Sequence, residues 1–345
     1  MGAGLPRTPV VTAEAAESLA TGVDVLILRS DELGAAIPLA VVVDAVERAY
    51  RLAGTAHVVQ RPRVPLREEG TRTFLHVMPA LSGEARVAGV HVYTGGNRGA
   101  RVPQKVTLVF DTADGRLRAM IESTWLSWAR TGATGAVATR YLARPDAAVL
   151  GLIGAGRQAA AQLHAIAATR HLEAVYVYSP TAQRRNAFAR DQSGVIGVEV
   201  VPLESATEVV ARSEIVSTTT TAREPVFPGS AVHDGLHVNA IGAHYPDRRE
   251  LDGPTIARAR VFADDPERAR LEDGELALAV DEGALAPDAE VIGLGAVVAG
   301  TVPGRRSPDE VTVFLSGGLG SEYLVVAAAV VDQAEALGLG TRVRL

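Results

Sequence analysis

The hydrophobic pattern changes rhythm near residue 145. Before it, short apolar runs at residues 23–28, 73–78, 87–93, 106–110 and 117–121 read as strands separated by turns. Asp114-Gly115, between the last two, is a hairpin signal. Residues 38–52 set Leu39, Val42, Val43, Val46 and Ala49 at helical spacing. A second helix is expected over residues 123–142, ended by Arg144-Pro145. This half is an antiparallel α+β region. From Ala147 on, strand-like runs at 148–153, 174–178, 198–201, 214–218, 237–241, 261–263 and 311–315 mostly alternate with helical stretches. That alternation predicts an α/β, doubly wound, Rossmann-type parallel sheet. A last apolar helix at 324–337 is expected to return to the first region. The expected division is a loose tail at 1–22, one domain from 23–143 plus 318–345, and a dinucleotide-binding domain at 144–317.

The second region opens on Gly151-Leu152-Ile153-Gly154-Ala155-Gly156-Arg157-Gln158-Ala159, between an apolar run and an alanine-rich helix over 158–168. Gly154 suits the tight turn, Gly156 lets backbone approach a pyrophosphate, and small Ala159 permits close helix–strand packing. The helix N-terminus offers free N–H groups and a positive dipole end to the phosphates. An acidic residue that would hold an adenosine ribose is expected at the end of the next strand. That strand instead ends Tyr178-Ser179-Pro180-Thr181, followed by Gln183-Arg184-Arg185. Ser179, Thr181 and Arg184 suit a 2′-phosphate, so NADP(H) is favoured over NAD(H).

Composition narrows the classes. The chain has 345 residues, 47% hydrophobic, with net charge −6 and no long basic block, so nucleic-acid binding has no electrostatic support. There is no cysteine, which removes disulfides, thiolate nucleophiles and cysteine-held metals. The only lysine, Lys105, is the one candidate for Schiff-base chemistry, and the favoured reading is an ordinary solvated strand residue. No run is long enough to span a membrane, and a cytoplasmic location is expected.

Three further stretches carry a resemblance. They are Ala129-Arg130-Thr131-Gly132-Ala133; Gly235-Leu236-His237-Val238-Asn239-Ala240-Ile241-Gly242-Ala243, followed by Pro246 and Arg249-Glu250-Leu251-Asp252; and Phe314-Leu315-Ser316-Gly317-Gly318. With the glycine turn they resemble the ornithine cyclodeaminase/mu-crystallin family, whose members include alanine dehydrogenases and imino-acid reductases. The resemblance covers residues 25–340. It implies a homodimer built through the first domain, an active site in the cleft between domains, and small amino or imino acids as substrates. By resemblance Arg130 grips the substrate carboxylate, helped by Arg63, while His76, Met78 and Gly317 line the substrate pocket. On the cofactor side it implies Gly154, Ala155, Gly156, Arg157, Gln158, Ser179, Thr220, Ile241 and Ser316.

The sequence also departs from the family. The cyclodeaminases carry a lysine where His91 stands, a catalytic aspartate where His244 stands, and a glutamate where His76 stands. One reading makes His91 and His244 proton donors beside Arg130. Another converges His76, His91 and His244 on a divalent metal, although no spacing among them supports it. A third lets them merely fill polar pocket positions. Loss of the aspartate argues against redox-neutral cyclodeamination, which needs a base to deliver an amine or water to an imine. The expected activity is NAD(P)H-dependent reduction of an α-imino acid, or its reverse. Alternatives are a cyclodeaminase with recycled NAD, a metal-dependent variant, or a non-catalytic cofactor-binding protein.

Overall fold

A computed structural model describes residues 22–70, 73–95, 104–242 and 245–345. His244 and most of the segment between β5 and β6 lie outside these residues. In chain order the first strands are β1 (Asp24–Leu28), β2 (Val59–Gln60), β3 (Val64–Arg67), β4 (Phe74–Ser82), β5 (Val87–Gly95), β6 (Lys105–Phe110) and β7 (Leu117–Glu122). There follow β8 (Val149–Ile153), β9 (Ala174–Tyr178), β10 (Val200–Pro202), β11 (Ile215–Thr218), β12 (His237–Ala240), β13 (Arg260–Ala263), β14 (Ile292–Gly293), β15 (Thr312–Leu315) and β16 (Thr341–Arg344).

The first sheet runs β16-β1-β7-β6-β5-β4-β2, with β3 also on β4. The β4-β5-β6-β7 meander is antiparallel, as its period-2 patterning demands. Helix Leu39–Gly54 buries Val42, Val43, Val46, Ala49 and Tyr50. Helix Gly320–Ala336 packs on it and lies over β4, β5 and β6. In this sheet the three segments that patterning left unread are β2, β3 and β16. They are short and mostly exposed, so burial writes no alternation into them.

The second sheet is parallel throughout, in the order β10-β9-β8-β11-β12-β15-β13-β14. β11, β12 and β15 are buried at every position, polar Ser217, Thr218, His237, Asn239 and Thr312 included, as in a parallel sheet covered on both faces. The strand order reverses between β8 and β11, and the carboxyl ends there form the crevice that such sheets use for ligands. Helix Thr124–Leu142 joins the sheets and packs against helix Arg157–Ala167. A Cβ on Gly132 would lie 2.3 Å from the Ala161 carbonyl oxygen, and one on Gly135 would overlap the Gln162 amide. These two glycines, three apart on one helix face, therefore bring the Arg130 helix into close contact with the fingerprint helix. No helix among the described residues is long and apolar enough to cross a membrane.

Candidate active site

The glycine turn makes one wall of a cavity of about 640 Å³ at the reversal point. Gly154 has φ +115° and donates its N–H to Tyr178 O at 2.8 Å. A Cβ there would lie 2.5 Å from Thr219 Oγ1, so the position demands glycine. A Cβ on Gly156 would meet open space. Helix Arg157–Ala167 starts there with no side-chain cap, leaving its first N–H groups free. Gly154, Ala155, Gly156, Ser179, Arg184 and Thr220 line this cavity. Thr181 does not; it is the exposed N-cap of helix Ala182–Ile196. Arg157 opens its helix, and its carbonyl accepts from Trp128 Nε1 at 2.8 Å. Of the two neighbouring arginines, Arg185 is buried on Ser179 O and Glu204, whereas Arg184 is exposed at the cavity.

Residues 219–221 are shared with a second cavity, about 330 Å³, between the sheets. Gln158, Thr220, Ile241, Ser316 and Gly317 face it from the second sheet's side. Arg63, Met78, Tyr93, Lys105, Arg130 and Tyr323 face it from the other. Buried Glu250 ties the threonine loop to the next strand end. It accepts from Thr220 N, Gly242 N at 2.8 Å and Thr218 Oγ1 at 2.8 Å. The geometry of that wall is thus fixed by a fully bonded carboxylate.

Strand register explains the first wall. His76 pairs with Tyr93 and Met78 with His91 across β4–β5; His91 pairs with Thr107 and Tyr93 with Lys105 across β5–β6. Paired and alternate positions share a face, so these six side chains form one patch under helix Gly320–Ala336. Lys105 is therefore not the solvated strand residue that sequence alone suggests. It lines the cavity, and among the described residues no carboxylate pairs with it. Burial, with Arg130 and Arg157 adding to it, lowers its pKa.

Arg130 is buried at the junction. Nη1 donates to Glu322 Oε2 at 2.8 Å and Nη2 to Tyr323 Oη at 2.8 Å. Of five N–H donors, these bonds use two, and buried Nε has no partner. Arg130 thus keeps donors for a carboxylate even though its charge is already held by Glu322. Asp264 anchors the facing turn by accepting from Gly317 N at 2.7 Å and Gly318 N. Arg63 lines the cavity with Nη1 on Tyr93 Oη at 3.2 Å.

The histidines fare differently from one another. His76 Nδ1 is 2.7 Å from Tyr93 Oη, with Nε2 buried and unpartnered. Burial, with Arg63 and Arg67, lowers its pKa. His91 is fully buried behind Tyr323, its ring stacked on the phenol at 3.7 Å and 5°. Its Nδ1 meets Thr107 Oγ1 at 2.9 Å, Thr107 meets Ser123 Oγ at 2.7 Å, and Ser123 donates to Ile121 O. A carbonyl only accepts, so the chain of donors runs from His91 Nδ1–H outward. Nε2 is then bare, and burial together with Arg130 and Lys105 drives the pKa well below the usual histidine range. His91 is a neutral ring bracing Tyr323 rather than a surface open to the cavity. Among the described residues no group of three or more His, Cys, Asp or Glu is arranged to hold a metal. Tyr93, Lys105, Tyr323 and Glu322 were all missed by sequence reasoning. Only Tyr93 had a signal, two positions beyond His91 on the same strand face.

A parallel sheet with a glycine turn at its reversal point, opening onto a cation-lined cavity, defines a two-sheet protein of the dinucleotide-binding class. More specifically, the chain belongs to the ornithine cyclodeaminase/mu-crystallin family, whose model matches residues 23–338. It is 32% identical over 326 residues to an alanine dehydrogenase of Archaeoglobus fulgidus, covering 93% of this chain and 98% of the relative. It superposes on Thermococcus litoralis Δ1-pyrroline-2-carboxylate reductase, a complex with NADH and L-proline, with TM-score 0.86 and 32% identity, covering 92% of this chain and 100% of the other. An archaeal alanine dehydrogenase dimer with bound NAD gives TM-score 0.85 at 30% identity, covering 93% and 99%.

Proposed function

We propose that the protein is a nicotinamide-dependent oxidoreductase that reduces the C=N bond of a small α-imino acid, or runs the reverse oxidation of an amino acid. The observation that carries this is the meeting of Arg63, Arg130 and Lys105 in a cavity sharing residues 219–221 with the glycine-turn cradle. Arg130 is paired with buried Glu322 and Arg63 lies 3.7 Å from Glu272, so the three cations leave this wall net positive, which suits a carboxylate substrate. The relatives named for alanine and pyrroline-2-carboxylate support an imino- or amino-acid substrate.

The chain's residues fit the cofactor. Gly156 leaves open space, the helix start is uncapped, and Gln158 Oε1 is buried without a partner beside the cavity. Gly154, Ala155, Gly156 and Ser179 would hold its phosphate and ribose end, and Thr220, Ile241 and Ser316 its nicotinamide end. When bound, the nicotinamide supplies or takes up a hydride. Arg130 and Arg63 orient the carboxylate so that the reacting carbon is held in one pose. Exposed Arg184 supports NADPH, since it offers a charged fork to a 2′-phosphate. Glu224 lines the same cavity and supports the NADH alternative through a ribose hydroxyl.

Residues 23–143 with 318–345 would form the substrate domain and residues 144–317 the cofactor domain. Dimerisation through the first sheet is supported by exposed Val59, Val64, Leu66, Leu75 and Leu81 near its β2–β4 edge and by the dimer named for the alanine dehydrogenase neighbour. Sedimentation of the purified protein tests it.

The direct test is oxidation of NADPH or NADH with pyrroline-2-carboxylate, piperideine-2-carboxylate, or pyruvate plus ammonia. Turnover with at least one is expected. Silence with all of them refutes the proposal, and ammonia release from ornithine without net cofactor change replaces it with cyclodeamination.

A further inference from the structure

The cavity holds a phenol to which the carboxylate clamp gives no task. Tyr323, at the start of helix Gly320–Ala336, is nearly buried and lines the cavity. Its oxygen accepts from Arg130 Nη2 at 2.8 Å. A guanidinium offers only donors, so that bond leaves the phenolic proton uncommitted. The other oxygen within reach, Ser127 Oγ, is 3.4 Å away, well beyond the roughly 2.7–2.8 Å of a good O–H···O bond. The cavity is the remaining direction for the proton. The ring itself cannot swing. His91 stacks on one side of it, and the Arg130 guanidinium sits 4.3 Å from its centroid.

We infer that Tyr323 is the proton donor of this site, protonating the imine nitrogen, while Arg130 and Lys105 hold the phenolate that remains. This rests on the reductase reading above. As hydride reaches the imine carbon, the π pair of C=N moves to nitrogen, and nitrogen takes the Tyr323 proton. A C–H and an N–H bond form; the C=N π bond, the phenolic O–H and the C–H of the reduced nicotinamide that would supply the hydride break, so the imine is reduced and the nicotinamide oxidised. Water reached through the half-buried Lys105 side returns the proton to the phenolate, and in the reverse direction the phenolate removes it from the amine.

The surrounding charges agree. Arg130 faces the phenol from helix Thr124–Leu142, Lys105 from β6, Arg63 lines the same cavity, and Glu322 precedes it on its own helix. The neutral titratable neighbours are His91 and Tyr93 on β5. Burial alone would raise the Tyr323 phenol, but the charges of Arg130 and Lys105, with the hydrogen bond from Arg130, outweigh it and lower the pKa. Tyr93 goes the other way: burial raises it, and its oxygen is engaged by Arg63 and His76. His91 is sealed off and carries its proton on the far nitrogen, so it cannot donate into the cavity.

The test pairs Tyr323→Phe with Lys105→Met. Tyr323→Phe keeps the ring on His91, so the fold is retained. It is expected to lower kcat by about 10²–10⁴-fold, with KM and cofactor Kd within about threefold, and to abolish the solvent isotope effect of the proton step. A 13Cζ-tyrosine NMR titration of the cofactor-free protein gives a readout independent of turnover. One resonance should titrate below the ordinary tyrosine range, vanish in Tyr323→Phe and move up in Lys105→Met. Wild-type turnover in Tyr323→Phe, or a resonance titrating at or above the ordinary range, overturns the inference. So does loss of turnover in Lys105→Met with Tyr323→Phe still active, which would make the ammonium the donor. A wild type inert to every imino acid fells the reductase reading and this inference with it. That outcome is told apart because the wild type itself is then silent.

Discussion

Glu322→Gln removes one charge from the centre of the site and keeps the side chain's shape. The Glu322 side chain is 0% exposed and its partner Arg130 8%, with 2.8 Å between Oε2 and Nη1. Breaking a buried pair from one side costs about 3–5 kcal/mol, because the remaining charge is left without compensation. The glutamine oxygen still accepts a hydrogen bond from Arg130 or from Leu319 N, which returns about 1 kcal/mol. A loss of about 2–4 kcal/mol is therefore expected in urea denaturation. The same variant leaves Arg130 as an uncompensated cation at the cavity wall. A carboxylate ligand such as L-proline should then restore more stability to the variant than it adds to the wild type. A loss under about 1 kcal/mol, with no extra rescue by ligand, would refute the reasoning. Burial raises the Glu322 carboxyl, and that result would mean it is protonated in the folded protein and pairs with Arg130 only as a neutral acceptor.

Other outcomes follow from the same contacts. Arg184→Ala should reduce NADPH affinity about tenfold relative to NADH, equivalent to about 1.4 kcal/mol, and fluorescence titration with both cofactors checks it. Burial raises the Glu275 pKa from its ordinary 4.5 to about 7. Between those values the unfolded chain loses the proton and the folded protein keeps it, so this group makes stability fall as pH rises through that window. Glu275→Gln should accordingly gain about 1–3 kcal/mol on the wild type between pH 4 and pH 8, read from urea midpoints across pH. Gly318 has φ +80°, and a Cβ there would lie 2.8 Å from Arg130 Nη1. Gly318→Ala should cost about 1–2 kcal/mol and raise substrate KM, since Arg130 must shift; unchanged KM would show that the turn does not position it.

What the sequence made legible has a physical pattern. The glycine turn and the Arg130 motif are local: a tight turn, a helix start and close helix packing each need particular residues at fixed offsets. The long buried strands are legible because burial on one or both faces writes a period into them. The cavity wall built by the first sheet is not local. Lys105 reaches the cavity only through the β5–β6 pairing that sets it opposite Tyr93, and no local motif signals that pairing. Glu322 looks like an ordinary helix acid, yet it is fully buried on an arginine 192 positions away. His91 shows the converse. Its place in the motif pattern suggests a proton donor, but the helix over it and the hydroxyl chain beneath it make it a neutral brace. Patterning shows that such a position is special and leaves open which way its proton points.

If one cavity joins a carboxylate clamp to a nicotinamide site, loss of the clamp must cost turnover while leaving cofactor binding intact. The measurement of that cost is steady-state oxidation of reduced nicotinamide with Δ1-pyrroline-2-carboxylate by wild type and Arg130→Met. The account predicts turnover in the wild type and a loss of about 10²-fold or more in kcat/KM for the variant, with cofactor Kd unchanged. Equal kcat/KM in the two proteins would contradict it.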